Sequence, residues 1–182
     1  MDFELKTLVM FFILVLAAGC SRHGRDSSTV IQDVQEETPS YSLEEVTHYQ
    51  YEDGMLRVKV FFDRGDFYDD RQELRVENCT FVYYDIDGYE VSTGRSKRAV
   101  LYQNSSLLVA EDDVVIVSQV NRGMLETDYL EWRGVDSQFV TDRFVTITRE
   151  NGDTLQGIGM ITDVALNYVT IKRDVKGSFR AD

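Results

Sequence analysis

Proline is nearly absent from the chain: Pro39 is the single one in 182 residues. Beyond that point nothing removes a backbone donor from a sheet ladder. Histidine is almost as scarce. His23 and His48 are the whole supply, and no nucleophile, histidine and acid fall into a spacing that suggests a hydrolytic triad. Two cysteines, Cys20 and Cys79, cannot build a disulfide framework or a cysteine-rich metal site. Basic residues are outnumbered 19 to 32, for a net charge of −13. That balance argues against nucleic acid as a partner, because phosphate binding needs a basic surface. It argues equally against charge-driven docking on anionic headgroups. There is no P-loop, and Gly157-Ile158-Gly159 lacks the third glycine and the following helix of a dinucleotide site. No cofactor is expected.

What the chain does have begins near its start. Thr7 to Cys20 reads TLVMFFILVLAAGC, and its apolar part falls short of the roughly twenty residues a spanning helix needs. Length therefore favours a signal-peptide core. Ala17, Ala18 and Gly19 precede Cys20, a pattern that resembles a bacterial lipobox. Cleavage there would leave the Cys20 thiol to carry diacylglycerol. Two features depart from the usual pattern: Ala17 stands where leucine is commonest, and Asp2 and Glu4 accompany the lone Lys6. The alternative is a short, uncleaved membrane anchor. Either way the folded part is expected outside the cytoplasm.

Ser21 to about Ser40 is polar and nearly free of large apolar residues, too poor in buriable surface to offset its ordering entropy. The expected organisation is a signal peptide over 1–19, an acylated Cys20 and flexible tether over 20–40, and a folded domain over 41–182. Loss of Asp2, Glu4 and Lys6 would leave the mature chain at −12, so the acidity belongs to the domain.

From Tyr41 onward the pattern is that of strands. Ser42 to Tyr49 has capping-box spacing between Ser42 and Glu45, but an extended lead-in is the better reading. Apolar and polar residues then alternate in RVKVFF (57–62), FVYY (81–84), VVIV (114–117), FVTIT (144–148) and YVTIK (168–172). Between these runs stand Asp53-Gly54, Asp87-Gly88, Arg122-Gly123 and Asn151-Gly152, and Asp-Gly and Asn-Gly favour two-residue hairpin turns. The glycines recur at 34, 35 and 29 residues, a period that suggests stacked hairpin units sharing one core. An ordinary sandwich would show similar spacing. Cys79, between Asn78 and Thr80, reads as a partly buried strand residue.

Leu107 to Lys172 carries a likeness to a known family. Gly123, Leu125, Thr127, Leu130 and Trp132 stand in the order Gly-x-Leu-x-Thr-x-x-Leu-x-Trp. Val140 and Thr141 follow, and then Gly157 and Gly159. In this order and spacing the chain resembles the LptC family, components of the lipopolysaccharide export machine, with weaker likeness back to about Tyr41. The resemblance implies an all-β, open, twisted jellyroll of stacked antiparallel strands whose interior accepts lipid. It implies no enzymatic activity, ATP hydrolysis taking place in another subunit of the machine. It implies lipopolysaccharide or a similar glycolipid as cargo, and LptF/LptG-type transporter subunits and an LptA-like bridge protein as partners at the two sheet edges. It also implies a place at the periplasmic face of the inner membrane, here held by a lipid anchor. Better-known family members keep an uncleaved membrane helix, and an acyl anchor would leave out the regulatory role of that helix.

Alternation assigns an inward-facing set of Val114, Ile116, Leu130, Trp132, Val145 and Ile147, with Leu125 and Leu155 nearby. These are candidate groove residues, and equally the core stripe that any closed sandwich carries. The last apolar strand, about Leu166 to Lys172, holds Leu166, Tyr168, Val169 and Ile171 and only one charge. It is the candidate partner edge. Asp85-Ile86-Asp87-Gly88-Tyr89-Glu90 resembles part of a calcium loop but lacks its third acid before the glycine and its distant glutamate, so a hairpin turn is the reading. Asp69-Asp70 and Glu111-Asp112-Asp113 read as solvated turns. Acidic pairs also keep a glycosidase in view. A surface lipoprotein that binds a protein or glycan ligand is a third reading.

Overall fold

A computed structural model describes residues 37–180, and Cys20 and the segments around it lie outside the described residues. The described chain is all-β. Nine antiparallel strands run in sequence order across one sheet: β1 (Tyr41–Glu52), β2 (Met55–Tyr68), β3 (Glu73–Tyr84), β4 (Glu90–Tyr102), β5 (Leu107–Ser118), β6 (Met124–Arg133), β7 (Gln138–Thr148), β8 (Thr154–Asp163) and β9 (Val169–Ser178). The segment with helical capping spacing is β1, an extended lead-in.

Every second turn carries one of the glycine signals, so all four lie at one end of the sheet. Asp53-Gly54 is the expected two-residue turn, with both φ positive (53° and 79°). The other three signals sit in five-residue loops instead. The side-chain oxygens of Asp85, Asn121 and Asn151 capture backbone N–H groups two residues on, which widens each loop. At the opposite end Asp69–Gln72, Gln103–Ser106 and Gly134–Ser137 form four-residue turns. The last residue of each (Gln72, Ser106, Ser137) is left-handed.

The strands do not keep one alternation from end to end. In β3 the buried positions run Leu74, Val76, then Cys79, Phe81, Tyr83; in β2 they run Val58, Val60, Phe62, then Phe67. One residue is slipped in at mid-strand, and the ladders from β4 to β9 shift register at corresponding points. A row of polar residues marks this line on the outside: Asp63, Asn78, Lys97, Asp113, Asp128 and Asp142 are all exposed. Asn78, Asp112, Asp113 and Asp174 take left-handed backbone there, which short polar side chains tolerate. Glu111-Asp112-Asp113 is thus a mid-strand bulge and not a turn, with Lys97 paired to Asp113 and Arg98 to Asp112. Bulges bend strands. The sheet folds over along this row, so that each strand lends its two halves to opposite walls of an interior that stays open at the sheet edges.

The halves meet out of step. Phe81 on β3 packs against Phe139 on β7, and Tyr83 lies edge-on to Trp132 of β6 at 6.4 Å. Further along, the Ser118 hydroxyl at the end of β5 donates to the Ala165 carbonyl in the β8–β9 turn at 2.6 Å. The core runs continuously between these walls, from Val58 to Leu166.

Candidate functional site

The interior is filled along most of its length and open at its N-terminal end. There, a cavity of about 350 Å³ lies between β1–β2 on one wall (His48, Gln50, Val58, Val60) and β4–β6 on the other (Leu101, Leu108, Trp132). Its size is at the small end of ligand cavities, which run from about 300 to 1,000 Å³. Val58, Leu108 and Trp132 also wall a small apolar recess with Phe81 and Tyr83. Aliphatic side chains face this space because alternation in β2 puts Val58 and Val60 on the same side as Phe62. Walls of this kind can hold a hydrocarbon chain. Among the described residues no group of histidine, cysteine and carboxylate side chains is placed to hold a metal.

Of the eight residues assigned to the groove from sequence, Trp132 is in the cavity wall. Val114, Ile116, Leu125, Leu130, Val145 and Ile147 all face inward and are at most 3% exposed, packed together in the core. Leu155 is half-buried against that core. Sequence reasoning did not reach Val58, Val60, Leu101 or Leu108. The period-two pattern of RVKVFF carried the signal for the first two.

Both sheet edges lack a neighbouring strand among the described residues. β9 is the C-terminal edge, but it starts at Val169, which pairs with Thr162, while Ile171 pairs with Met160. Leu166 and Tyr168 precede it, in the turn. That corrects the strand expected from Leu166. Leu166 takes φ +56° and is 1% exposed, so it plugs the core. The Asp163 carboxylate accepts from the N–H groups of Asn167 and Tyr168 and holds the turn.

At the other edge, Glu37 precedes β1 and its carboxylate bridges Arg71 (2.7 Å) and Arg75 (2.8 Å). Both guanidinium groups lie 4.7 Å from the Tyr68 ring centroid. Residues 37–40, placed in the tether from sequence, therefore touch the β2–β3 end, where the Ser40 N–H also donates to the Phe67 carbonyl. Direct hydrogen bonds from the two arginines hold the Glu37 carboxyl below its ordinary range. Cys79 is a free thiol, 2% exposed, and burial pushes its pKa up to about 12. Such a thiol is inert structural filling. Asp85 accepts backbone N–H groups from Asp87 and Tyr89, so the calcium-like segment is a polar loop closed on itself.

The glycine-to-tryptophan motif now has a physical reading. Leu125, Thr127, Leu130 and Trp132 face inward, and the doubled spacer between Thr127 and Leu130 is the β6 residue slipped in at the fold line. Buried Thr127 donates its hydroxyl to the Phe144 carbonyl at 2.8 Å, across that irregularity. Gly157 and Gly159 serve the corresponding bend of β8, where Gly159 takes φ +74° and Gly157 lies against Ile171 and the Arg173 backbone of β9.

The family model described as "Lipopolysaccharide-assembly, LptC-related" matches residues 7–180. The chain belongs to the LptC family. Membership places it among the periplasmic proteins of lipopolysaccharide transport. Among solved structures the chain is similar to LptH of Pseudomonas aeruginosa, described as the LptA-homologous periplasmic component of the lipopolysaccharide transport device. The TM-score is 0.55 at 8% identity, over 68% of this chain and 95% of LptH. At that identity the likeness is one of fold, and it makes this LptC-family chain an open Lpt-type jellyroll. No curated protein sequence matches it.

Proposed function

We propose that this LptC-family chain is a non-catalytic bridge that shields the acyl chains of lipopolysaccharide, or of a related glycolipid, during export. Lipid enters from an LptF/LptG-type transporter at one sheet edge and passes to an LptA-like protein at the other. Cys20 carries the acyl anchor that holds the domain at the periplasmic face of the inner membrane. The observation that carries this reading is the largely apolar cavity at the N-terminal end of a sheet whose two edges have no neighbouring strand among the described residues. Burying a methylene is worth about 0.8 kcal/mol, so a twelve-carbon chain resists water by roughly 10 kcal/mol. A row of similar apolar spaces lets such a chain move between sites of nearly equal energy. The inward set from Val114 to Leu155 would continue that path when the interior opens.

Site-specific photo-crosslinking in cells tests the path. A crosslinker at Leu101 or Trp132 should capture acylated glycolipid, while one at Asp69, on an exposed turn, should not. Equal capture at all three positions, or none, counts against a lipid path. The anchor is tested separately. The mature N-terminus should begin at an acylated Cys20 by mass spectrometry, and an intact Met1 in membrane-extracted protein refutes it.

A further inference from the structure

The inward row of β1 changes character where it reaches the cavity. In the β1–β2 ladder Val46 stands opposite Phe62, His48 opposite Val60 and Gln50 opposite Val58. Residues directly opposite each other in a ladder project from the same face of the sheet, and the three β2 partners are core residues at most 4% exposed. A valine therefore gives way to a histidine and a glutamine on the inner face, and both line the cavity. The other wall of that space is Leu101, Leu108 and Trp132, while Gln103 and Ser106, in the β4–β5 turn, extend its polar side. None of the four polar side chains makes a hydrogen bond among the described residues, so their donors and acceptors are open to an occupant. The lining contains no aspartate, glutamate, lysine or arginine, in a chain that is 28% charged. An ion drawn into such a space would lose water without gaining a counter-ion. An uncharged polar group on a hydrocarbon chain meets no such cost.

We propose that His48 and Gln50 form a neutral hydrogen-bonding subsite that takes an uncharged polar group, a hydroxyl or an amide, carried on an acyl chain. Gln103 and Ser106 lie at its rim. This rests on the reading of the cavity as an acyl-chain site and adds to it the chemistry of the polar part of the ligand. General electrostatics cannot imitate that selectivity. A chain with a net charge of −13 attracts cationic amphiphiles and repels anionic ones, whereas a neutral subsite disfavours both.

Isothermal titration calorimetry at pH 8 with four ten-carbon probes below their micelle concentrations tests the proposal: decanol, N-methyldecanamide, decanoate and decyltrimethylammonium. The two uncharged probes should bind more tightly than either ion, by roughly two- to tenfold for each hydrogen bond formed. His48→Leu and Gln50→Leu each extend the apolar wall. Decanoate should then bind at least as well as before, while the advantage of the uncharged probes shrinks in each variant and disappears in the double variant. Thr47→Val, on the outer face of β1 where Thr47 pairs with Phe61, should change nothing. His48 is exposed and Gln50 half-buried, so the variants should fold, which circular dichroism checks. Tighter binding of decanol points to a hydroxylated chain and tighter binding of N-methyldecanamide to an amide-linked one, and either order supports the subsite. Equal binding of all four heads, tightest binding of an ion, or an uncharged preference that survives the double variant overturns the subsite and leaves the acyl reading standing. Failure of every probe to bind overturns both.

Discussion

Gly157→Ala is the most informative single substitution, because what it meets is backbone. An added Cβ would lie 2.5 Å from Ile171 Cγ2, 2.7 Å from the Arg173 carbonyl oxygen and 3.4 Å from Val175 Cα. The optimum separation between carbons is about 3.5–4.0 Å. The isoleucine can shift, but the carbonyl belongs to β9 and cannot rotate aside. β9 must therefore step back where Ile158 pairs with Arg173. Overpacking of this kind costs about 1–3 kcal/mol, which for a domain of this size lowers Tm by roughly 2–12 °C. The damage should be local. Amide exchange should quicken over 169–178 and stay slow in β5, whose Val114 and Ile116 lie at the centre of the core. Gly54→Asn is the contrast. Nothing lies within 4 Å of that site and its φ is +79°, a conformation asparagine tolerates, so the change in stability should stay within about 1 kcal/mol. If Gly157→Ala melts with the wild type and β9 keeps its protection, the reasoning from the β8–β9 contact is wrong.

Leu130→Ala, at a position 2% exposed, should cost about 2–5 kcal/mol, measured by urea titration; a loss under about 1 kcal/mol would mean that the walls collapse freely onto the gap. Cys79, with its thiol pushed up to about 12, should resist a thiol reagent at pH 8 in native protein and react on unfolding, and prompt native labelling would contradict its burial. Glu37 has its carboxyl pKa lowered by Arg71 and Arg75, so its contribution is complete above the ordinary carboxylate range and is lost as pH falls through the depressed value. An NMR titration should place Glu37 below the ordinary glutamate range, and Arg71→Gln should bring it back up; an unshifted value in the wild type removes the clamp.

Strands were legible in the sequence because alternation is a local signal. VVIV and FVTIT fall within β5 and β7, and every inward residue named from them is inward. Alternation breaks down at the fold line. Leu74 and Val76 are out of phase with Phe81 and Tyr83, and no composition rule marks the slip in β3 beyond the tolerance of Asn78 for left-handed backbone. Turn lengths were hidden for a related reason. Asp85, Asn121 and Asn151 bind backbone N–H groups, so an Asp-Gly or Asn-Gly pair that alone favours a two-residue turn becomes part of a longer loop. Leu166 looked like a strand residue because it is apolar, yet its burial comes from capping the core inside a turn. The cavity itself depends on which half of β2 faces which half of β5 and β6, a pairing that only the folded sheet defines.

The odd number of strands has a mechanical consequence. β1 and β9 run in the same direction, so the chain enters at the end held by Glu37 and leaves at the opposite end. There the Arg180 N–H donates to Asp153 in a glycine-bearing loop. A load applied between the two termini runs along the strands and shears their ladders, with the hydrogen bonds of β1 and β2 sharing the force together. Pulling sideways on either edge would instead peel one bond at a time. The domain is thus built to be stiff between its termini and compliant at its flanks.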